Sequence, residues 1–319
     1  MAARPAHPNA TIKRDIALHG EDPDVIVADV ADRPRPSARI IVVANEKGGV
    51  GKSTIAFHLA IALADAGLSV AAIDLDRRQQ SLCSALSRRD ATARRLKIDL
   101  PLPRHQVLHV QSGSMLCQEI GRVGWESDIV IIDVAGHDSA IARRAIAIAD
   151  TLITPVNGSF VDLDLLGKFN PITLDLIAPG CFAVAVEEIR QARVRRGLRG
   201  LDWVVAQNRT RKDNSQNQGR VEAALQRLSA TIGFRLGRGL AERVAYRELF
   251  LLGLTHLDLR KLPDFQRTKL DAQREILDLL HDLALLPGQA AEVTPASQGM
   301  AGPDCPVEPI PTTVGTDGA

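Results

Sequence analysis

Short runs of β-branched and aliphatic residues recur along the middle of the chain, at 40–43, 69–74, 106–110, 128–133, 151–155 and 203–206. Each is too short for a helix and most end in polar or acidic residues, which is the signature of buried strands. Between most of them the apolar positions fall at helical spacing, as with Ile55, Leu59 and Leu63. Strands alternating with helices predict an α/β fold, a mostly parallel twisted sheet flanked by helices, with ligands at the sheet's C-terminal edge.

The ends of the chain break this rhythm. Residues 1–38 carry Pro5, Pro8, Pro23, Pro34 and Pro36 among charged groups, and residues 287–319 are rich in Pro, Gly, Thr and Ala. Both are expected to be disordered, leaving one domain over 39–286; Val25–Val30 is read as a possible short strand or docking segment, with disorder preferred. Near the C-terminus Leu270, Ile276, Leu277, Leu280 and Leu283 form an apolar stripe. Its acidic companions Asp271, Glu275, Asp278 and Asp282 would be repelled by an anionic bilayer, so core packing is expected.

Composition narrows the classes. The 319 residues are 45 % hydrophobic but only 3 % aromatic, so the core must be built from Leu, Ile, Val and Ala. A net charge of +1 gives no global drive toward nucleic acid. Four scattered cysteines without a C-x-x-C pair argue against a disulfide framework or a metal ribbon and suit a reducing cytoplasm. No run approaches the ~18 apolar residues of a membrane span, and a cytoplasmic location is expected.

The candidate chemistry starts where the first strand empties into Asn45-Glu-Lys47-Gly48-Gly49-Val50-Gly51-Lys52-Ser53-Thr54. Strand, glycine loop and helix point backbone N–H groups and a positive helix end at a phosphate chain. Lys52 can reach β/γ oxygens and the Ser53 hydroxyl can serve Mg²⁺. The strict G-x-x-x-x-G-K-[ST] pattern fails, because Glu46 holds its first glycine position; an additional Lys47 precedes Gly48 instead. The run 128–133 delivers Asp133 from a buried strand to the metal, and 70–76 places Asp74 and Asp76 beyond another, on one face if the strand alternation persists. A third segment, 187–212, holds eight basic residues against three acids. If helical, it would spread Arg193, Arg195, Arg196 and Arg199 over half a circumference, suited to phosphate contacts but without aromatics for base stacking.

The two-lysine loop resembles that of the ParA/MinD ATPases, P-loop NTPases with a deviant Walker A motif and a three-layer sandwich fold. Runs without a generic nucleotide role, among them 138–141, 159–162, 202–205, 233–237 and 246–250, look like the MipZ family of division-plane-positioning ATPases within it. The resemblance implies an ATP- and Mg²⁺-dependent ATPase, slow and dependent on dimerisation, with Lys47 reaching across the dimer and Asp76 positioning the attacking water. It places Gly48, Gly49, Val50, Gly51, Lys52, Ser53, Thr54, Asp74, Asn208 and Arg209 around the nucleotide, Asn208 at the adenine edge, and Ser53 and Asp133 at the metal. It implies non-specific binding of double-stranded DNA through Arg190, Arg193, Arg195, Arg196, Arg199, Arg211 and Arg220. Partners would be a second copy, a ParB-type partition protein and FtsZ, whose assembly would be inhibited, with a nucleoid-associated polar gradient and no membrane contact. A ParA-type ATPase partitioning DNA or positioning another cargo is the alternative. Val134-Ala135 departs from the family's usual D-T-P-G-type switch and removes a hydroxyl beside the γ-phosphate, and His137 is read as an ordinary surface residue.

Overall fold

The computed structural model describes residues 21–170, 173, 175–209, 216–262 and 270–285. Their elements, in order, are α1 (Pro23–Ala31), β1 (Arg39–Val43), α2 (Lys52–Asp65), β2 (Val70–Asp74), α3 (Ser81–Leu96), β3 (Arg104–Val107), α4 (Gly113–Gly124), β4 (Ile129–Asp133), α5 (Ala140–Ile148) and β5 (Thr151–Val156). Then come α6 (Phe160–Leu163), β6 (Gly167–Phe169), β7 (Leu176–Pro179), α7 (Cys181–Arg195), β8 (Asp202–Gln207), α8 (Gln216–Ile232), β9 (Arg235–Arg238), α9 (Val244–Leu251) and α10 (Leu270–Asp282).

Seven strands form one sheet in the order β3-β2-β4-β1-β5-β8-β9, and each recorded pairing is parallel. A parallel sheet needs cover on both faces, and the strand side chains sort accordingly. Ile40 and Val42 of β1 enter one core with α1, α4, α5 and α7; Ile41 and Val43 enter the other with α2, α3 and α10. Every residue of α2 from Ile55 to Leu63 is buried, because the helix is sandwiched between the sheet and its neighbours. The β1–α2 turn leaves the sheet centre, with β4 and β5 on either side of β1.

Three expectations need correction. Residues 23–31 are a docked helix, neither disordered nor a strand. Asp22 caps it through the Asp24 N–H at 2.8 Å, Pro23 occupies the first turn, and Ile26, Val27 and Val30 are buried in the core. Along α10 and the residue after it the buried stripe is Ala272, Ile276, Leu279, Leu280 and Leu283, whereas Leu277 is 47 % exposed. The strand β9 and the β6–β7 hairpin were not foreseen. Residues 1–20, the 287–319 tail and Arg211 lie outside the described residues, and among the described helices none is long and apolar enough to cross a membrane.

Candidate functional site

The loop after β1 is anchored before it turns. Buried Asn45 donates its amide to the Pro155 carbonyl of β5 at 2.7 Å and accepts the Lys47 N–H at 2.9 Å. Lys52, the first residue of α2, folds back to donate to the Lys47 carbonyl at 2.8 Å. Burial pulls the Lys52 pKa down, while Asp133 and Asp76 pull it back up. No side chain caps the N-terminus of α2, so its first N–H groups are available to an anion. Gly51 has φ 93°, and a Cβ there would collide with the Asn208 side chain, so both backbone and space demand glycine.

Three acids face this loop, each with a different task. Asp74 is fully buried and accepts the N–H groups of Asp76 (2.9 Å), Leu82 (3.1 Å) and Cys83 (3.2 Å), tying β2 to the start of α3. β2 ends at Asp74, so strand alternation does not extend to Asp76; a turn sets Asp76, which accepts the Arg78 and Gln79 N–H groups. Asp133 ends β4 at 2 % exposure, and its Oδ1 is buried without a hydrogen-bond partner. Burial above all, then the Asp74 charge, raises its carboxyl to about 8, against a Ser53 hydrogen bond that lowers it. An orphaned carboxylate oxygen bonded through its partner to a hydroxyl fits a divalent cation, which would supply the missing charge.

A groove of about 670 Å³ opens over these groups, lined by Gly48, Gly49, Gly51–Thr54, Asp76–Gln79, Gln111, Val134–His137, Arg209 and Phe250. This is within the range of small-ligand sites. Gly136 presses on the phosphate loop: a Cβ there would lie 3.0 Å from the Gly48 Cα and 3.1 Å from the Lys52 Nζ. His137 is exposed on the groove's wall. Asp138 is held by a two-pronged pair with Arg143, at 2.9 and 2.6 Å.

Lys47 and Asn208 are engaged in ways that motif reasoning did not reveal. The Lys47 ammonium pairs with Asp162 of α6, whose carboxylate also accepts the Ser159 hydroxyl at 2.8 Å. Asn208, 2 % exposed, donates to the Val50 carbonyl (2.7 Å) and accepts the Leu240 N–H (3.0 Å). It thereby pins the phosphate loop to the end of β8. Arg209 adopts φ 52° beside it. Sequence reasoning gave no role to Asn45, Gly136 or Asp162, although Gly136 fills the glycine position of the D-T-P-G-type switch and Asp162 ends the family-like run 159–162.

The arginine cluster is taken apart by the fold. α7 ends at Arg195 and the chain turns at Gly197 (φ 67°), so Arg199 lies off the helix. Arg193 is buried and donates to the Ala147 and Arg199 carbonyls, which removes it from any DNA-contact set. Arg190 bonds Glu187 and the Ile232 carbonyl. Arg195 and Arg196 pair with Asp24 and Asp32 of the α1 segment, Arg199 is exposed, and Arg220 lies over the Phe160 ring.

A doubly covered parallel sheet, a glycine loop with two lysines at its central edge and acids beyond the neighbouring strands define a P-loop NTPase fold. The family model of the ATPase MipZ matches residues 39–287, and the chain belongs to that family. Maintenance of carboxysome distribution protein A of Gloeobacter kilaueensis is 30 % identical over 168 residues, 49 % of this chain and 72 % of that protein. The iron–sulfur cluster carrier protein of Mycobacterium tuberculosis is 37 % identical over 75 residues, 24 % of this chain and only 20 % of its own length. Among solved structures, an ATP complex of a Cyanothece McdA variant aligns with TM-score 0.56 at 17 % identity, over 78 % of this chain and 98 % of that one. MinD of Pyrococcus horikoshii with Mg-ADP aligns with TM-score 0.51 at 19 % identity, over 80 % and 100 %. At these identities the two structures speak for the fold alone.

Proposed function

We propose that the chain is an ATP-driven dimerising switch that positions the division site by binding DNA and a ParB-type protein and by inhibiting FtsZ assembly. The observation that carries the reading is the divergence of the two loop lysines. Lys52 turns inward toward the cradle and Asp133, whereas Lys47 turns away to a pair with the buried Asp162. A lysine serving its own nucleotide has no reason to point away from it; one serving a partner's does, once the Asp162 pair opens. Gly48, Gly49, Val50, Gly51 and the start of α2, with Ser53 and Thr54, would hold the phosphates, and Arg209 would border the nucleotide. Asn208 would meet the adenine edge with its remaining amide donor and acceptor once the loop shifts.

Ser53 and Asp133 would hold Mg²⁺, which supplies charge neutralisation at the β- and γ-phosphates. Asp76, which has no ion pair among the described residues and lines the groove, would orient the attacking water, and Asp74 keeps it in place through the Asp76 N–H. Turnover is slow in this account, because Val134 is buried and Val134-Ala135 offers no hydroxyl to the reacting phosphate. The protein would act in the cytoplasm over the nucleoid. DNA contact would use Arg195, Arg196 and Arg199, with Arg190 at the edge and Arg211 and Arg220 as further candidates.

Sedimentation of FtsZ polymers with this protein tests the reading. ATP should reduce the pelleted fraction and ADP should not; FtsZ assembly indifferent to the ATP form would refute it. The likeness to a carboxysome-distribution protein favours a second reading, the positioning of another cargo. That reading predicts ATP-dependent DNA binding with no effect on FtsZ.

A further inference from the structure

The α1 segment lies outside the family match, which begins at residue 39, and its charge is one-sided. Residues 21–32 hold five acids, Glu21, Asp22, Asp24, Asp29 and Asp32, and no base. Its apolar side is fixed: Ile26 and Val27 are fully buried and Val30 nearly so. Its polar side meets the cations of the α5–α7 face. Glu21 forks onto Arg144 with both contacts at 2.7 Å, and Asp29 bonds the same guanidinium. These pairs hold Glu21 and Asp29 below the usual carboxylate range. Asp24 forks onto Arg195 at 3.1 and 2.8 Å, and Asp32 meets Arg196 at 2.7 Å.

The two sets of pairs differ in exposure. Arg144 is 12 % exposed and belongs to the packing, whereas Arg195 and Asp24 are 54 % and 53 % exposed. Exposed pairs are weak, screened by salt and readily exchanged for another anion. The buried aliphatic side holds α1 in place whether or not Asp24 and Asp32 keep their partners. The carboxylates therefore occupy the positions a phosphate backbone would take, on a support that need not unfold to release them.

We propose that α1 is an intramolecular competitor for polyanions: its Asp24 and Asp32 occupy Arg195 and Arg196 and weaken DNA binding by this face until they are displaced. This rests on the reading of DNA binding above.

The test uses the full chain with Asp24→Asn and Asp32→Asn together, which leaves the Asp22 cap and the buried side chains intact. Binding to a labelled non-specific duplex is followed by fluorescence anisotropy, with a slowly hydrolysed ATP analogue, across a salt series. The variant should bind roughly tenfold more tightly, with a log–log salt slope steeper by about 1–2 for each protomer's two released arginines. Adding Arg195→Ala and Arg196→Ala should remove the gain. A variant that binds no better than the parent refutes the competitor role and leaves DNA binding standing. A gain that persists without the arginines also refutes it, since net charge alone would then account for it. If neither protein binds at low salt, the DNA reading fails and the competitor role falls with it.

Discussion

Arg193 separates a phosphate-binding role from a structural one, and its surroundings set the size of the effect. Its guanidinium donates to the Ala147 carbonyl and twice to the Arg199 carbonyl, tying α7 to the end of α5 and to the loop before β8. Arg193→Ala leaves the buried Ala147 carbonyl and the half-buried Arg199 carbonyl without this donor, costing ~1–3 kcal/mol for the first and about 1 kcal/mol for the second. It also removes two buried methylenes, roughly 1.5 kcal/mol in all. Against this, a costly charge disappears: burial foremost, with Arg35 nearby, pulls the Arg193 guanidinium down to about 10, equivalent to ~3 kcal/mol of relief. The net is a loss of about 1–2 kcal/mol, or roughly 3–6 °C in melting temperature for a domain of this size. Arg193→Lys is the sharper variant, because it keeps charge and stem but not the planar fork, and should lose about 1–2 kcal/mol. Denaturant unfolding with parallel DNA titrations measures both. Parental stability in Arg193→Lys, together with an Arg193→Ala protein that melts normally but no longer binds DNA, would refute the structural assignment.

Lys52→Ala should weaken binding of a fluorescent ATP analogue by ~10²-fold or more, since the phosphates lose their buried cation; near-parental affinity would show that the groove holds its ligand otherwise. Asp76→Ala should retain nucleotide binding but slow phosphate release in a coupled assay at least ~10-fold, and unchanged turnover would pass the water-positioning role to another group. His58 gives a pH signature. Burial, the dominant cause, lowers its imidazole from 6.5 to about 4, so the unfolded chain takes up a proton first on acidification. Its contribution to stability is complete above pH ~6.5 and is lost as pH falls toward 4, by up to ~3 kcal/mol. His58→Leu should flatten that limb of a melting-temperature profile relative to the parent, and parallel profiles would contradict the assignment.

The sheet was legible because its strands are buried on both faces and read as continuous apolar runs: 40–43 and 128–133 allow no other element. β9 was not, since Arg-Leu-Gly-Arg at a sheet edge exposes most of its side chains. Pro23 in α1 resembled a breaker when it was a helix start, a distinction that depends on Asp22 capping the turn. Of the residues placed around a nucleotide by motif, Gly48, Gly49, Gly51, Lys52, Ser53, Thr54, Asp76 and Arg209 line one groove, whereas Val50, Asp74, Asp133 and Asn208 are buried and do not line it. What spacing could not carry is long-range partnership. The Lys47–Asp162 pair spans over a hundred residues, and the distant α1 determines which arginines of α7 are covered. Helical periodicity identifies a face but not what packs against it, which is why Arg193 and Arg195 looked equivalent and are not.

The central claim, a nucleotide-built dimer, is most directly tested by light scattering coupled to size-exclusion chromatography of the parent and Lys47→Ala. With a slowly hydrolysed ATP analogue the parent should elute at twice the mass it has with ADP. Lys47→Ala should bind the same analogue yet stay at the monomer mass. A Lys47→Ala protein that dimerises as the parent does, or a parent whose mass ignores the nucleotide, would contradict the account.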